Sequence, residues 1–215
     1  MDMEQARFNM VEQQIRTWDV LDQDVLDLLF SVKREGFVPM AYRMLAFADL
    51  EIPLGDGQKM WTPKLEARVV QELRIRPDEH VLEIGTGSGY LTALLAARGA
   101  RVTSVEINPR LAEEARAKLA RAKVGASLAH GDGARGWGRE TYDAIVLTGS
   151  TPVLADAILE QLKPGGRVFA VIGEPPVMKA RMTHWIAEGS YTVEDLFETV
   201  IESLLNAPVP SRFEF

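Results

Sequence analysis

The feature that most constrains this chain is the run Val81-Leu82-Glu83-Ile84, which leads without a break into Gly85-Thr86-Gly87-Ser88-Gly89-Tyr90 and then the apolar, alanine-rich stretch Leu91 to Ala97. Val81 to Ile84 reads as a short buried strand. Gly85 to Gly89 reads as a turn whose missing Cβ atoms let a ligand approach the backbone, and the residues from Gly89 onward as a helix whose N-terminus faces that ligand.

Several ligands could use such a turn, and the neighbouring charges discriminate between them. A dinucleotide site has G-x-G-x-x-G with its third glycine at position 90, and it rests a pyrophosphate on the helix N-terminus. Tyr90 stands there instead, and Glu83 would repel a pyrophosphate while suiting an ammonium or a sulfonium. S-adenosylmethionine carries both. A second carboxylate, Glu106, ends the next predicted strand (101–106), 21 positions on from Gly85, the spacing at which an acidic side chain reaches ribose hydroxyls. Asp132 ends a third. The same glycines could form an ordinary tight connection with Glu83 and Glu106 facing water. Acids at three successive strand ends, however, mark the place where an open α/β sheet puts its ligand crevice.

A chain of 215 residues buries a full core without covalent staples. It has no cysteine, which excludes thiolate nucleophiles, disulfides and cysteine metal sites and fits a reducing cytoplasm. The residues after Met1 form no apolar leader, and no stretch is long and apolar enough to span a bilayer. The net charge is −7, with 24 dispersed basic residues against 31 acidic ones, which argues against a grip on nucleic-acid phosphates. A soluble, cytoplasmic protein with neither membrane nor nucleic-acid partner is expected. Its oligomeric state is left open.

Along the chain, residues 4–35 are expected as two helices. Phe8, Val11, Ile15 and Trp18 form one buried stripe, and Val25, Leu26, Leu29, Phe30 and Val32 another after an Asp22 cap. A short helical segment follows at 41–46. The chain from Ala48 to Thr62 loses periodicity and reads as a long loop, of the kind that is often functional. Thr62 caps a helix beginning at Pro63, with Leu65, Val69, Val70 and Leu73 inward. Asn108-Pro109 starts a helix through Ala122, with Leu111, Ala115, Leu119 and Ala122 inward and Glu114 paired to Lys118. Strands are expected at 127–130, 142–148 and 167–172, with a helix at 152–162 and a turn at 163–166. Two or three hairpin-like strands follow Met182, and 206–215 is a proline-bearing tail. Strands alternating with helices imply a parallel sheet with right-handed crossovers.

The reaction expected of S-adenosylmethionine is displacement at its methyl carbon. A carboxylate acceptor is already ionised near neutral pH and needs position and desolvation, whereas an amine or hydroxyl needs a general base. His80 and His184 read as packed or solvated, His130 as structural though near a strand's carboxyl end, and no acidic or histidine cluster has metal spacing. The residues thus lean toward an acceptor that arrives ionised.

From about Met10 to Ile172 the chain resembles the protein-L-isoaspartate O-methyltransferase family. The resemblance is carried by Met10-Val-Glu-Gln-Gln-Ile15, Glu35-Gly-Phe-Val-Pro39, Asp49 with Ile52-Pro-Leu-Gly-Asp-Gly-Gln58, and Leu82-Glu-Ile-Gly-Thr-Gly-Ser-Gly-Tyr90. Val105-Glu106, Gly131-Asp-Gly133, Tyr142-Asp-Ala-Ile-Val146 and Leu162-Lys-Pro-Gly-Gly166 complete it. It implies an α/β fold with a doubly wound, mostly parallel, seven-stranded Rossmann-like methyltransferase sheet and an N-terminal helical extension. Residues 1–215 would form a single domain, with helices and a substrate and cofactor loop in 1–76 and the Rossmann-like core in 77–215.

The resemblance also implies that Glu83 and the turn Gly85, Thr86, Gly87, Ser88 and Gly89 hold the methionine part of the cofactor. Glu106 would hold the ribose, and Asp132 and Gly133 the adenine, with Ile107 and Thr148 also among the cofactor-binding residues. Gln58, Lys59, Met60 and Trp61 would close over the cofactor and face the substrate. The implied acceptor is the isoaspartyl carboxylate of damaged proteins or peptides. No catalytic residue is fixed, and Asp49 and Trp61 are the candidates in the substrate loop.

Two departures bear on the acceptor. The family's loop reads Gln-Thr-Ile-Ser-x-Pro, whereas Gln58-Lys-Met-Trp-Thr-Pro63 puts an indole where the serine faces the acceptor, and 207–215 departs from the family's closing Val-Pro-Leu segment. A methyltransferase for a different, small-molecule acceptor, with Trp61 as an aromatic wall, and a non-catalytic nucleoside-binding module are the two rival readings.

Overall fold

The structure, a computed structural model, describes residues 2–210. Helix α1 (Met3–Asn9) is capped by the Asp2 carboxylate and runs into a π-helical turn, Met10–Ile15. Helix α2 (Gln23–Ser31) is capped by Asp22, and a 3₁₀ turn covers Met40–Leu45. Strands β1 (Ile52–Gly55) and β2 (Gln58–Met60) precede α3 (Pro63–Leu73), where the Thr62 hydroxyl accepts the Leu65 N–H. The remaining elements alternate: β3 (His80–Ile84), α4 (Tyr90–Ala97), β4 (Arg101–Glu106), α5 (Pro109–Arg121), β5 (Ser127–His130), β6 (Tyr142–Leu147), α6 (Asp156–Glu160), β7 (Leu162–Glu174), β8 (Val177–Ala187) and β9 (Ser190–Glu198).

Seven strands form one sheet in the order β5-β4-β3-β6-β7-β8-β9. β3 to β7 are parallel, and β8 and β9 are added antiparallel. The chain leaves β3 toward one edge through β4 and β5, then returns to β3's other side with β6. That reversal opens a crevice outside the carboxyl ends of β3, β4 and β6, where such sheets bind ligands. Val81, Leu82, Ala144, Ile145 and Val146 are completely buried, as strands covered on both faces require. No helix among the described residues is long and apolar enough to cross a membrane.

Several expectations are corrected. Phe8 and Trp18 are exposed, while Met10, Val11 and Ile15 are buried. The Arg16 N–H reaches the carbonyl of Val11, five residues back, and this wider turn rotates the stripe out of phase with the three- and four-residue spacing. The second helix ends at Ser31, leaving Phe30 and Val32 half-buried.

Residues 48–62 are not simply a loop. Asp56 and Gly57 both have positive φ (54° and 74°), the geometry of a two-residue hairpin turn, and β1 pairs antiparallel with β2. Ala122 is exposed, and Glu114 pairs with Arg110 rather than Lys118. Arg110 is fixed there because it also holds Asp56 and the Leu54 carbonyl.

The expected 152–162 helix shrinks to Asp156–Glu160. Thr151 is held extended by backbone bonds with Val171 and Gly173, which delays the helix start. Lys163-Pro-Gly-Gly166 lies inside β7, with Gly165 at φ 76° taking up a register shift against β6. Two strands follow, the first beginning at Val177 rather than near Met182. Residues 211–215 of the tail lie outside the described residues.

Candidate active site

β3 delivers the chain to a turn in which Gly85, Gly87 and Gly89 have φ of 97°, 51° and 83°, the left-handed region that side chains disfavour. A Cβ on Gly85 would sit 2.2 Å from Thr148 Oγ1, which donates to the Gly85 carbonyl at 2.6 Å. The end of β6 is thus locked against the end of β3. From β4, Glu106 Oε2 accepts the Gly87 N–H at 2.8 Å and Oε1 accepts the Asn108 N–H at 2.9 Å.

Glu83 lies beneath the turn with no solvent exposure. Its Oε2 accepts hydrogen bonds from Ser104 Oγ (2.7 Å) and from the Thr92 hydroxyl, while Oε1 has no partner. Burial raises the Glu83 pKa from 4.5 to about 7, with a further push from Glu106, against the opposing effect of the two hydroxyls. A buried carboxyl with one oxygen unpaired is short of a donor or a cation.

Above these groups is a hollow lined by Gly85, Thr86, Gly87 and Ser88 from the turn, Glu83 from β3, Glu106 and Ile107 from β4, and Thr148 and Gly149 from β6. The β1–β2 hairpin and its exit close one side with Glu51, Gln58, Lys59, Met60 and Trp61. Trp61 is only 7% exposed, and its carbonyl accepts from Arg34 Nη2 at 2.6 Å. Arg34 is itself buried, bonds the Ala46 carbonyl at 2.9 Å and pairs with buried Glu66, so one guanidinium ties the N-terminal extension to the wall of the hollow. Its pKa is lowered to about 10 by burial, with the Tyr90 ring opposing.

The other side is closed by Glu202, Ser203, Leu204 and Leu205. This segment is fixed by paired backbone bonds to Ser150, each 2.9 Å, and Asn206 Nδ2 donates to Asp132 Oδ2 at 2.9 Å. Lys59 Nζ bridges Glu202 (2.8 Å) and Glu51 (3.2 Å) across the opening.

Of the residues named from sequence, Gln58, Lys59, Met60, Trp61, Glu83, Gly85, Thr86, Gly87, Ser88, Glu106, Ile107 and Thr148 come together around this hollow. Gly89, Asp132, Gly133 and Asp49 do not line it. Gly89 packs toward α5, Asp132 also accepts the Ala134 N–H, Gly133 packs on Ile84 and Val105, and Asp49 pairs with Lys64 at 2.7 Å. Sequence reasoning missed Glu51, Glu66, Gly149 and Glu202–Leu205. The last follow β9 with no periodicity to mark them, and they lie upstream of 207–215, the stretch noted for departing from the family's closing segment. None of the three histidines lines the hollow. His130 Nε2 lies 3.2 Å from the Ile107 carbonyl and His80 Nε2 3.0 Å from Thr103 Oγ1.

The family model of protein-L-isoaspartate(D-aspartate) O-methyltransferase matches residues 5–201. The chain belongs to this family. Its relatives include a protein-L-isoaspartate O-methyltransferase of Methanoculleus marisnigri, 43% identical over 169 residues that make up 78% of this chain and 77% of the relative. One of Methylorubrum populi is 39% identical over 79% of this chain and 81% of its own length. The fold matches a Plasmodium falciparum structure described as a protein-L-isoaspartate O-methyltransferase in complex with S-adenosyl-L-homocysteine. That match has a TM-score of 0.80 at 18% identity and covers 95% of this chain and 99% of the other.

Proposed function

We propose that the hollow holds S-adenosylmethionine and that the chain transfers methyl to the carboxylate of L-isoaspartyl residues in damaged proteins or peptides. Membership of the isoaspartyl methyltransferase family favours this acceptor over a small molecule and favours an enzyme over a bare binding module. The observation that carries the cofactor reading is the unpaired, buried Oε1 of Glu83 beside glycine backbone that no Cβ covers. An ammonium there supplies the missing partner and holds the carboxyl ionised.

When bound, the cofactor supplies an electrophilic methyl group on a sulfonium. The chain's own residues do the rest. Glu83 takes the ammonium, Gly85 and Gly87 permit close approach, and Glu106, already fixed by two backbone N–H groups, offers its remaining lone pairs to ribose hydroxyls. The hairpin exit with Trp61 and the Glu202–Leu205 segment exclude water from the acceptor carboxylate, which needs no general base because it is ionised.

The test is transfer of labelled methyl from S-adenosylmethionine to an isoaspartyl peptide and to its normal aspartyl twin. A base-labile methyl ester on the isoaspartyl peptide alone is expected. Equal labelling of both, or none on either, contradicts the reading.

A further inference from the structure

The hollow is rich in carboxylates, with Glu51, Glu66, Glu83, Glu106 and Glu202 in its lining. Glu66 is offset by buried Arg34 and burial favours the protonated form of Glu83, which leaves Glu51, Glu106 and Glu202 against Lys59, the single cation among the described lining residues. This suits a positively charged cofactor and is hostile to a negatively charged acceptor. An isoaspartyl carboxylate entering between the hairpin and the Glu202–Leu205 segment must meet at least one group that offsets this field.

We infer that the Lys59 ammonium receives the acceptor carboxylate, exchanging its rim contacts with Glu202 and Glu51 for the incoming isoaspartyl side chain. This rests on the function proposed above and moves Lys59 from the cofactor side of the hollow to the acceptor side. Three observations carry it. Lys59 is on β2 two residues before Trp61, so a rigid hairpin presents both to the same opening. Its partners are carboxylates at 2.8 and 3.2 Å, which shows that the ammonium is placed to bind that group. Both pairs are substantially exposed, and ion pairs in water hold too weakly to prevent exchange. The cofactor's own α-carboxylate is the competing partner for this ammonium, and the S-adenosylhomocysteine affinity below separates the two.

Methylation converts the acceptor from a carboxylate to a neutral ester. Lys59 therefore binds the ground state more strongly than the transition state or the product, and it releases the ester once formed.

The experiment measures the affinity of S-adenosylhomocysteine-loaded enzyme for an isoaspartyl peptide and for its methyl ester, in wild type, Lys59→Met and Lys59→Arg. It is accompanied by S-adenosylhomocysteine affinity and by steady-state kinetics. Lys59→Met should weaken the isoaspartyl peptide by roughly two- to fivefold, the range for a partly exposed ion pair. The methyl ester and S-adenosylhomocysteine should bind as before. KM should rise while kcat holds or increases, because the lost contact is stronger in the ground state than in the transition state, and Lys59→Arg should restore most of the affinity. Unchanged peptide affinity in Lys59→Met, or a loss shared equally by the ester or by S-adenosylhomocysteine, overturns the assignment while leaving the methyltransferase reading intact. A wild-type enzyme that binds S-adenosylhomocysteine yet methylates no isoaspartyl peptide overturns both.

Discussion

Glu106 and Gly87 are joined by a 2.8 Å hydrogen bond from the glycine N–H to the carboxylate, across the gap between the ends of β4 and β3. The same carboxylate accepts the Asn108 N–H at the start of α5, so one side chain sets the glycine turn and the next helix at once. Its position is therefore decided before any ligand arrives, which is the preorganisation a nucleoside site requires.

Glu106→Ala should weaken S-adenosylhomocysteine binding by about 1.5–3 kcal/mol, the usual loss for a charged hydrogen-bonding partner. Calorimetric titration measures this. Glu106→Gln, which keeps one acceptor oxygen, should lose less, and unaltered affinity in the alanine variant would remove Glu106 from the site.

Glu83 makes stability depend on pH in a stated direction. Its pKa in the fold, about 7, lies above its ordinary value of 4.5, so its contribution is complete below pH 4.5 and is lost as pH rises toward and through 7. The loss is at most roughly 3–4 kcal/mol, since each step of one in pKa is worth about 1.36 kcal/mol. Urea denaturation of the ligand-free protein between pH 4.5 and 8 should show wild type losing stability relative to Glu83→Gln across that window. Parallel curves for the two proteins would show that Glu83 does not titrate there.

Arg34 and Glu66 form a buried ion pair whose members are 1% and 3% exposed. Removing either partner leaves an uncompensated buried charge. Arg34→Met and Glu66→Met should therefore each cost about 3–5 kcal/mol in chemical denaturation, with the double variant more stable than either single one. A double variant that simply adds the two losses would show that the pair is not coupled.

Trp61 is buried and forms part of the wall of the hollow. Trp61→Ser should lower stability by about 3–5 kcal/mol, the usual range for emptying a buried aromatic site, and should raise the KM for isoaspartyl peptide. A gain in isoaspartyl methylation would show instead that the indole obstructs the acceptor.

The central strands and helix caps were legible because their signals are local: β-type runs ending in glycine, Thr62-Pro63 and Asn108-Pro109 at helix starts, and acids at strand ends. Glu83 and Glu106 were legible from spacing alone, since the strand ends bring them to one crevice whatever the loops do. The hairpin was legible in principle from Asp56-Gly57, a strong two-residue turn signal that the neighbouring Gly55 and Pro53 obscured. Phe8 and Trp18 misled because a single π-helical turn shifts the stripe, and nothing in Met10–Ile15 announces a hydrogen bond five residues long. Glu202–Leu205 reach the site through Ser150, a tertiary pairing with no sequence period.

One titration of S-adenosylhomocysteine bears on the cofactor reading as a whole. Binding enthalpies are measured near pH 6.5 in buffers of differing ionisation enthalpy, with wild type and Glu83→Gln. If the ligand's ammonium ionises Glu83, wild type releases roughly half a proton or more on binding one ligand per chain, and Glu83→Gln releases almost none. No binding, no proton release by wild type, or the same release by both proteins would contradict the account.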